Sequence, residues 1–261
     1  MTGPRENPFA SLSDELSTRF IGKNIIYYPQ LASTMDAARA EVRRGAPEGT
    51  VIMAGEQTGG RGRLKRTWFT PSGNIAASII LYPSIAGLPY LVMVASLAVA
   101  DAIEKATGLA PDIKWPNDVL INGKKVAGIL IENEVRAGEV AFAIVGIGIN
   151  VGLRSADISE ISDIATSLTA ATGREVPLRL AAQYLFEEFE RWYALLPNGK
   201  YIFEAWRGRL VTLGRYVTAR WGDSVIDGVA ESVEQSGALM IRRADGTLVS
   251  VVAGDVTLSE K

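Results

Sequence analysis

A basic, glycine-rich stretch runs from Gly60 to Trp68 and reads GRGRLKRTW. Its glycines let backbone N–H groups approach a ligand closely, and its arginines offer planar forks of donors that suit phosphate or carboxylate. Trp68 closes the stretch with an aromatic ring that could cover a flat ligand. The pattern predicts an anion-binding loop, and a solvated basic loop is the alternative for this stretch taken alone.

A second group of reactive side chains is the segment KWPND, residues 114–118. It puts a cation, a proline-fixed bend, an amide and a carboxylate in consecutive positions. Asn122-Gly123 follows, a dipeptide that favours a two-residue hairpin turn, so the next strand would return Lys125 to the same end of the sheet. The alternative is an exposed Lys–Asp pair that contributes about 0 to 1 kcal/mol, with Trp115 in the core.

A third segment, GIGIN at residues 146–150, carries glycines inside an apolar strand. Glycine weakens a strand unless something must approach its backbone closely. Asn150 could then contact an adenine edge. The segment lacks the third glycine and following helix of a dinucleotide fingerprint, and the chain has no Walker A pattern, so nucleotide binding cannot rest on a familiar phosphate loop.

Composition removes several kinds of chemistry. The 261 residues include no cysteine and no histidine, which excludes disulfides, thiolate and imidazole metal sites, cysteine nucleophiles and Ser-His-Asp hydrolysis. The net charge of -2 favours neither nucleic acid nor an anionic membrane. No export signal is apparent, and the apolar run Tyr90 to Ala100 is predicted to be too short to span a bilayer. We therefore expect a cytoplasmic protein with one large domain or one large and one small domain.

The elements that must position these side chains can be predicted coarsely. Ser33, with Asp36 three residues on, predicts a capping box at the start of a helix. Strands over Thr50–Gln57 and Asn74–Tyr82 flank the basic loop. The apolar run Pro89–Thr107 predicts a buried helix that ends before a glycine.

The middle of the chain predicts an antiparallel meander over Ile113–Ile121, Lys125–Glu134 and Glu139–Val151, followed by helices over Pro177–Leu196 and Tyr201–Arg209. From Val211 onward, short β-rich runs predict a small barrel. They are separated by the turns Trp221-Gly222-Asp223, Gln235-Ser236-Gly237 and Asp245-Gly246.

Taken in order, these motifs resemble those of biotin protein ligases over nearly the whole chain. The matching residues are Gln57, GRGR at 60–63, Arg66, Trp68, KWPND at 114–118, KVAGIL-E at 125–132 and GIGIN at 146–150. Ser33-Thr34 and Thr166-Ser167-Leu168 match further family elements. Because nothing before Ser33 predicts a winged helix-turn-helix, the chain resembles the short, monofunctional class without a DNA-binding domain.

The resemblance implies an α+β fold. A mixed, mostly antiparallel sheet flanked by helices would form the biotin/lipoate ligase-like catalytic domain over residues 1–210. A small C-terminal SH3-like β-barrel would follow over residues 211–261.

The resemblance also implies a two-step reaction. Biotin and ATP, with Mg²⁺, would give biotinyl-5′-AMP and pyrophosphate, and biotin would then pass to a lysine of a biotin carboxyl carrier domain of acetyl-CoA carboxylase. The implied partners include that acceptor and, as a family tendency, a second copy of the chain, but neither nucleic acid nor a membrane. No metal ligand can be named.

Residue roles follow from the resemblance, position by position. Catalysis would fall to Lys125, Arg63 and Asp118. Biotin would be bound by Ser33, Thr34, Gln57, Gly60, Arg61, Arg63, Lys125 and Gly128. ATP would be bound by Arg63, Arg66, Trp68, Lys114, Asn117, Lys125 and Asn150. Asp118 would act as a base or as an orienting group for the acceptor amine.

The chain departs from the family pattern where glycine is usual, at Lys65, which adds charge and reduces loop flexibility. Thr70 stands where serine is common. Three alternatives remain: a lipoate or octanoate transferase, which uses a differently arranged site; an inactive binding module, which should have lost a lysine or arginine of the set; and a DNA-binding regulator, for which neither a basic patch nor a reading helix is predicted.

Overall fold

The computed structural model describes residues 7–153, 163–221 and 224–258. Six α-helices lie in these ranges: α1 Leu12–Glu15, α2 Thr34–Arg43, α3 Leu91–Thr107, α4 Leu168–Thr172, α5 Leu178–Tyr193 and α6 Gly199–Gly208. The first seven strands are β1 Ile25–Tyr28, β2 Val51–Ala54, β3 Ile75–Leu81, β4 Asp112–Lys114, β5 Asp118–Ile121, β6 Lys124–Arg136 and β7 Glu139–Ile149. The last five are β8 Tyr216–Trp221, β9 Ser224–Val233, β10 Leu239–Arg242, β11 Leu248–Val251 and β12 Asp255–Leu258.

The larger sheet has the strand order β1-β2-β3-β7-β6-β5-β4. Only β1 and β2 run parallel, and every other neighbouring pair is antiparallel. Helices α3, α5 and α6 cover one face in the main core, while α2 packs on the other face against residues such as Ile52 and Ile144. The predicted mixed, mostly antiparallel sheet flanked by helices is therefore confirmed.

Two tight turns set the meander. Asn122 and Gly123 have φ of 50° and 77°, and Ala137 and Gly138 have φ of 50° and 82°, the left-handed conformations that a type I′ turn requires. The predicted run Ile113–Ile121 is not one strand. Trp115, Pro116 and Asn117 interrupt it, and the strands on either side pair with each other. This interruption makes KWPND a turn at the edge of the sheet.

The smaller sheet is wholly antiparallel, with the order β11-β10-β9-β8-β12. No ladder joins β11 to β12 among the described strands, so the predicted SH3-like barrel is an open five-stranded sheet here. Trp115 connects the two sheets, because its backbone N–H donates to Thr212 Oγ1 at 2.9 Å and its indole donates to the Gly237 carbonyl at 2.8 Å. The predicted turn at Trp221 falls on residues 222–223, outside the described residues, and the domain boundary at residue 210 stays a prediction.

The predicted buried helix is α3, which ends at Thr107 and is capped by Gly108 with φ 78°. A 3-10 turn over Ile85–Tyr90 precedes it, so the whole helical segment Ile85–Thr107 has 23 residues and is long and apolar enough to cross a membrane by composition alone. The run that the sequence singled out, Tyr90 to Ala100, is one part of this longer segment. Most of the segment is buried inside the fold, as in the core helix of many proteins.

Candidate active site

A cavity of about 920 Å³ lies between the larger sheet, the basic loop and β12. It is lined by every residue for which the sequence predicted a catalytic or binding role, except Gly60. The lining set is Ser33, Thr34, Gln57, Arg61, Arg63, Arg66, Trp68, Lys114, Asn117, Asp118, Lys125, Gly128 and Asn150. Residues from the start of α2, the segment between β2 and β3, the KWPND turn with its flanking strands, β6 and the end of β7 thus converge on one space.

The polar end of the cavity is organised by Gln57. Its amide oxygen accepts hydrogen bonds from the Thr34 backbone N–H at 2.9 Å and from the Thr34 hydroxyl at 3.1 Å. Its amide nitrogen donates to Thr70 Oγ1 at 3.1 Å, and Ser78 Oγ donates to Thr34 Oγ1 at 2.8 Å. These bonds fix the orientation of the threonine and the amide before any ligand arrives.

Ser33 is the residue that precedes the first turn of α2, as predicted, but its hydroxyl does not cap the helix. The expected capping box is therefore wrong in its hydrogen bond, although the helix start is right. Ser33 Oγ is buried and has no hydrogen-bond partner among the described residues. An unpaired buried hydroxyl costs about 1 to 3 kcal/mol, which a polar ligand group at this end of the cavity would recover.

Trp68 lies against a flat patch made by two glycines. Gly128 and Gly148 face each other across β6 and β7, and a Cβ added to Gly148 would stand 2.3 Å from the indole nitrogen. A Cβ added to Gly146 would stand 2.6 Å from Met35 Sδ. The groups that approach this strand closely are therefore protein side chains. Because Gly148 and Gly146 have no Cβ atom, they leave the space that Trp68 and Met35 occupy.

Lys125 lies beside Trp68, with Nζ 5.3 Å from the ring centroid and 2.5 Å from a carboxylate oxygen of Asp118. Its backbone is held on both sides, because Lys125 N donates to the Ile164 carbonyl at 2.8 Å and its carbonyl accepts from Thr166 N at 2.9 Å. The hairpin therefore brings Lys125 and Asp118 together as the sequence predicted.

The basic loop is tied to the KWPND turn. Arg63 donates to Asn117 Oδ1 at 3.0 Å, and Asn117 Nδ2 in turn donates to the Ile129 carbonyl at 2.7 Å. Burial lowers the pKa of the Arg63 guanidinium, and the carboxylates of Asp118 and Asp255 oppose that shift. The group stays cationic, since an arginine begins far above neutral pH.

Two further arginines of the loop form ion pairs with carboxylates, and the sequence predicted none of these pairs. Arg61 donates to both oxygens of Asp36 at 2.8 Å and to Glu132 at 3.3 Å, and the hydrogen bond to Asp36 is the main reason that its pKa is raised. Arg66 lies 2.5 Å from Asp255 on β12. Lys114 also lines the cavity and has no ion pair within the described ranges.

The remaining predicted residues occupy supporting places. Asn150 is buried, and its side-chain N–H donates to the Thr166 carbonyl at 3.1 Å. Gly60 does not line the cavity. Its carbonyl accepts from Trp68 N, and a Cβ there would stand 2.3 Å from the Trp68 carbonyl oxygen, so it closes the base of the loop. The side chain of Lys65 lies outside the described residues.

Comparison with known proteins gives consistent matches in both parts of the chain. Residues 27–150 match the biotin/lipoate A/B protein ligase family, and residues 212–259 match the biotin protein ligase C-terminal domain. A biotin--[acetyl-CoA-carboxylase] ligase from Paracoccus denitrificans is 38% identical over 82% of this chain and 94% of that protein. The bifunctional ligase/repressor BirA of Bacillus subtilis is 36% identical over 93% of this chain and 76% of that protein.

Solved structures show the same similarity. The biotin protein ligase from Aquifex aeolicus in complex with biotin and ATP is 29% identical and superposes with a TM-score of 0.78. The match covers 92% of this chain and all of that one.

Proposed function

This chain belongs to the biotin protein ligase family, and we propose that it activates biotin with ATP and transfers it to a lysine of a biotin carboxyl carrier domain. The observation that carries the proposal is the convergence in one cavity of three groups. They are the Thr34–Gln57 polar pair, the Lys125–Asp118 pair and the basic loop. They correspond to the three parts of the reactants: a polar bicyclic ring, a reacting carboxylate and a polyphosphate.

The first step must bring a carboxylate to a triphosphate. A biotin carboxylate oxygen would attack the α-phosphorus, the bond to the β-phosphate oxygen would break, and pyrophosphate would leave. Repulsion between the two anions is the obvious barrier. Lys125 is the cation best placed to reduce it, because its ammonium projects into the cavity from a backbone held on both sides. A positioned cation of this kind stabilises charge that develops at phosphorus.

The polyphosphate would be bound by cations around the mouth of the cavity, from the basic loop and from Lys114. Among the described residues no group of three carboxylates could hold a metal ion. Mg²⁺ usually keeps several waters and binds substrate phosphates with only one or two carboxylates. The residues present therefore fit an ion that arrives on the triphosphate and neutralises part of its charge.

In the second step the acceptor amine would attack the acyl carbon of the adenylate, and AMP would leave. The amine must lose a proton, and Asp118 is the carboxylate nearest to Lys125 in the cavity. Its carboxylate would accept this proton or orient the amine for attack.

The adenylation half-reaction gives the direct test. Incubation with ATP, Mg²⁺ and labelled pyrophosphate should give label in ATP only when biotin is present. Exchange with lipoate but not with biotin would move the assignment to a lipoate-activating enzyme. Binding of both ligands with no exchange would leave an inactive binding module.

Thr34→Val should weaken biotin binding selectively. Valine keeps the shape of threonine but removes the hydroxyl that joins Gln57 and Ser78. Loss of about 1 to 3 kcal/mol predicts a five- to 150-fold rise in the KM for biotin, with a small change in the KM for ATP. Steady-state pyrophosphate release measures both constants. Thr247→Val, which removes a hydroxyl at an exposed turn between β10 and β11, is the matched control. Equal rises in both constants would contradict a role confined to biotin.

Gly148→Ala should displace Trp68. The added methyl would stand 2.3 Å from the indole nitrogen, a distance that real Cβ contacts do not reach. We expect at least a tenfold loss of adenylation, because the ring and the Lys125 ammonium above it must shift together. Gly208→Ala, in α6 where a Cβ meets nothing within 4 Å, is the control. Unchanged activity would show that the indole can move without cost.

The edge of β6 supports a proposal about assembly. β5 pairs with β6 only as far as Gly128, whereas β6 continues to Arg136. An exposed strand edge is a template for strand addition. We propose that a second copy of the chain pairs here to form a homodimer. Substitution of Asn133 by proline, at this edge, should then yield monomers in sedimentation experiments.

A cytoplasmic location and the absence of nucleic-acid and membrane partners stay predictions.

A further inference from the structure

The cavity has one wall that the proposed reaction does not use. It is built by β12 of the smaller sheet, with Asp255 at its start. The carboxylate of Asp255 is 2.5 Å from Arg66, a cation of the basic loop. The same carboxylate lies close enough to Arg63 to affect its pKa. An acidic group therefore stands inside the region where cations would bind a polyphosphate.

An acidic group in this place has two opposite electrostatic consequences. It holds the Arg66 guanidinium in the cavity, which would help a phosphate that binds alongside it. It also takes up hydrogen-bond donors of that guanidinium, and its negative charge repels a phosphate. Arg66 is more exposed than Asp255, with side-chain exposures of 65% and 28%. The guanidinium is therefore free to turn away from the carboxylate toward an arriving anion.

We propose that Asp255 competes with polyphosphate for Arg66. Before ATP binds, Arg66 is paired with Asp255; when ATP binds, Arg66 exchanges this carboxylate for phosphate oxygens. After adenylation the carboxylate takes the guanidinium back, so that pyrophosphate is held less tightly and leaves sooner. The proposal rests on the proposed function for the identity of the anions. Its geometry rests on the ion pair and the cavity alone.

The competition predicts that removal of the Asp255 charge tightens the binding of ATP and pyrophosphate. Asp255→Asn keeps the side-chain shape, removes the charge and leaves Arg66 without its anionic partner. The KM for ATP and the inhibition constant for pyrophosphate should both fall by about two- to fivefold, the range that partly exposed ion pairs support. Asp255→Glu keeps the charge and should stay close to the parent protein. If Asp255 only positioned Arg66, Asp255→Asn would raise both constants.

Two variants test whether the effect passes through Arg66. In an Arg66→Gln background, Asp255→Asn should tighten polyphosphate binding less than it does in the parent protein, because the competed cation is gone and only the direct repulsion by the carboxylate is removed. Glu231→Gln is the matched control, since it removes one carboxylate from an Arg–Glu pair, Arg242–Glu231 at 2.7 Å, on the same sheet but outside the cavity. It should leave both constants unchanged. Thermal unfolding of each variant checks that the sheets remain folded.

Isothermal titration calorimetry with magnesium pyrophosphate measures the affinity directly and does not require turnover. Two- to fivefold tighter binding to Asp255→Asn supports the competition. Weaker or equal binding overturns it. Absence of biotin-dependent exchange in the parent protein would instead overturn the proposed function. The two failures are thus distinguishable.

Discussion

Lys125→Ala is expected to reduce biotin-dependent pyrophosphate release by about 10²- to 10³-fold or more. The lysine is the one cation of the cavity that contacts both Asp118 and the Trp68 ring among the described residues, at the centre of the predicted reaction. Removal of a single positioned electrostatic group of this kind typically has that effect on the chemical step. The loss should fall on kcat, because the charge matters most as it develops at phosphorus.

The fold should survive this substitution. Lys125 is partly exposed, and its backbone hydrogen bonds to residues 164 and 166 do not require the side chain. Lys200→Ala, which removes an exposed lysine from α6, is the control for loss of positive charge. Pyrophosphate release at the parental rate by Lys125→Ala, with both proteins folded, would remove Lys125 from the mechanism.

Arg63→Gly is expected to loosen retention of biotinyl-5′-AMP. The arginine joins the basic loop to the KWPND turn through Asn117, and glycine at this position would cut that connection and make the loop more mobile. The intermediate would then escape into water and acylate lysines of unrelated proteins. Mass spectrometry of a bystander protein in the reaction should show biotin on several lysines, where the parent protein leaves it unmodified.

Asn117→Ala offers a second way to cut the same connection. It removes the acceptor for Arg63 without adding a glycine to the loop, so its bystander labelling should rise in the same direction. If Arg63→Gly retained the adenylate as tightly as the parent protein, the loop could not be the element that holds it.

Local signals in the sequence predicted the elements that depend on local geometry. Asn122-Gly123 adopts positive φ because the two-residue turn demands it, and this turn forms the hairpin that returns Lys125 to Asp118. Ser33 correctly predicted the start of α2, because serine is common at the residue before the first helical turn. These features need only the preferences of neighbouring residues.

Features that depend on distant pairings were missed. β1 pairs in parallel with β2 across a long connection, and its four residues are all half-buried, so no alternating pattern marks it. The carboxylates that hold the loop arginines, Asp36, Glu132 and Asp255, come from three separate elements. The spacing of charges in the chain does not reveal which acid meets which base.

The glycines of GIGIN also show that a sequence does not identify distant contacts. Their presence correctly predicted a close approach to the strand, but the approaching groups are Trp68 and Met35, from elements far away in the chain. A single sequence indicates that space is needed at a glycine. Only the fold shows what fills it.

The most direct test of the assignment is the intact mass of a biotin carboxyl carrier domain after incubation with this protein, ATP, Mg²⁺ and either biotin or lipoate. We predict that the mass increases by one biotinyl group with biotin, does not change with lipoate, and does not change when Lys125→Ala replaces the parent protein. An increase with lipoate alone, or no increase while biotin-dependent exchange proceeds, would contradict transfer of biotin to this acceptor.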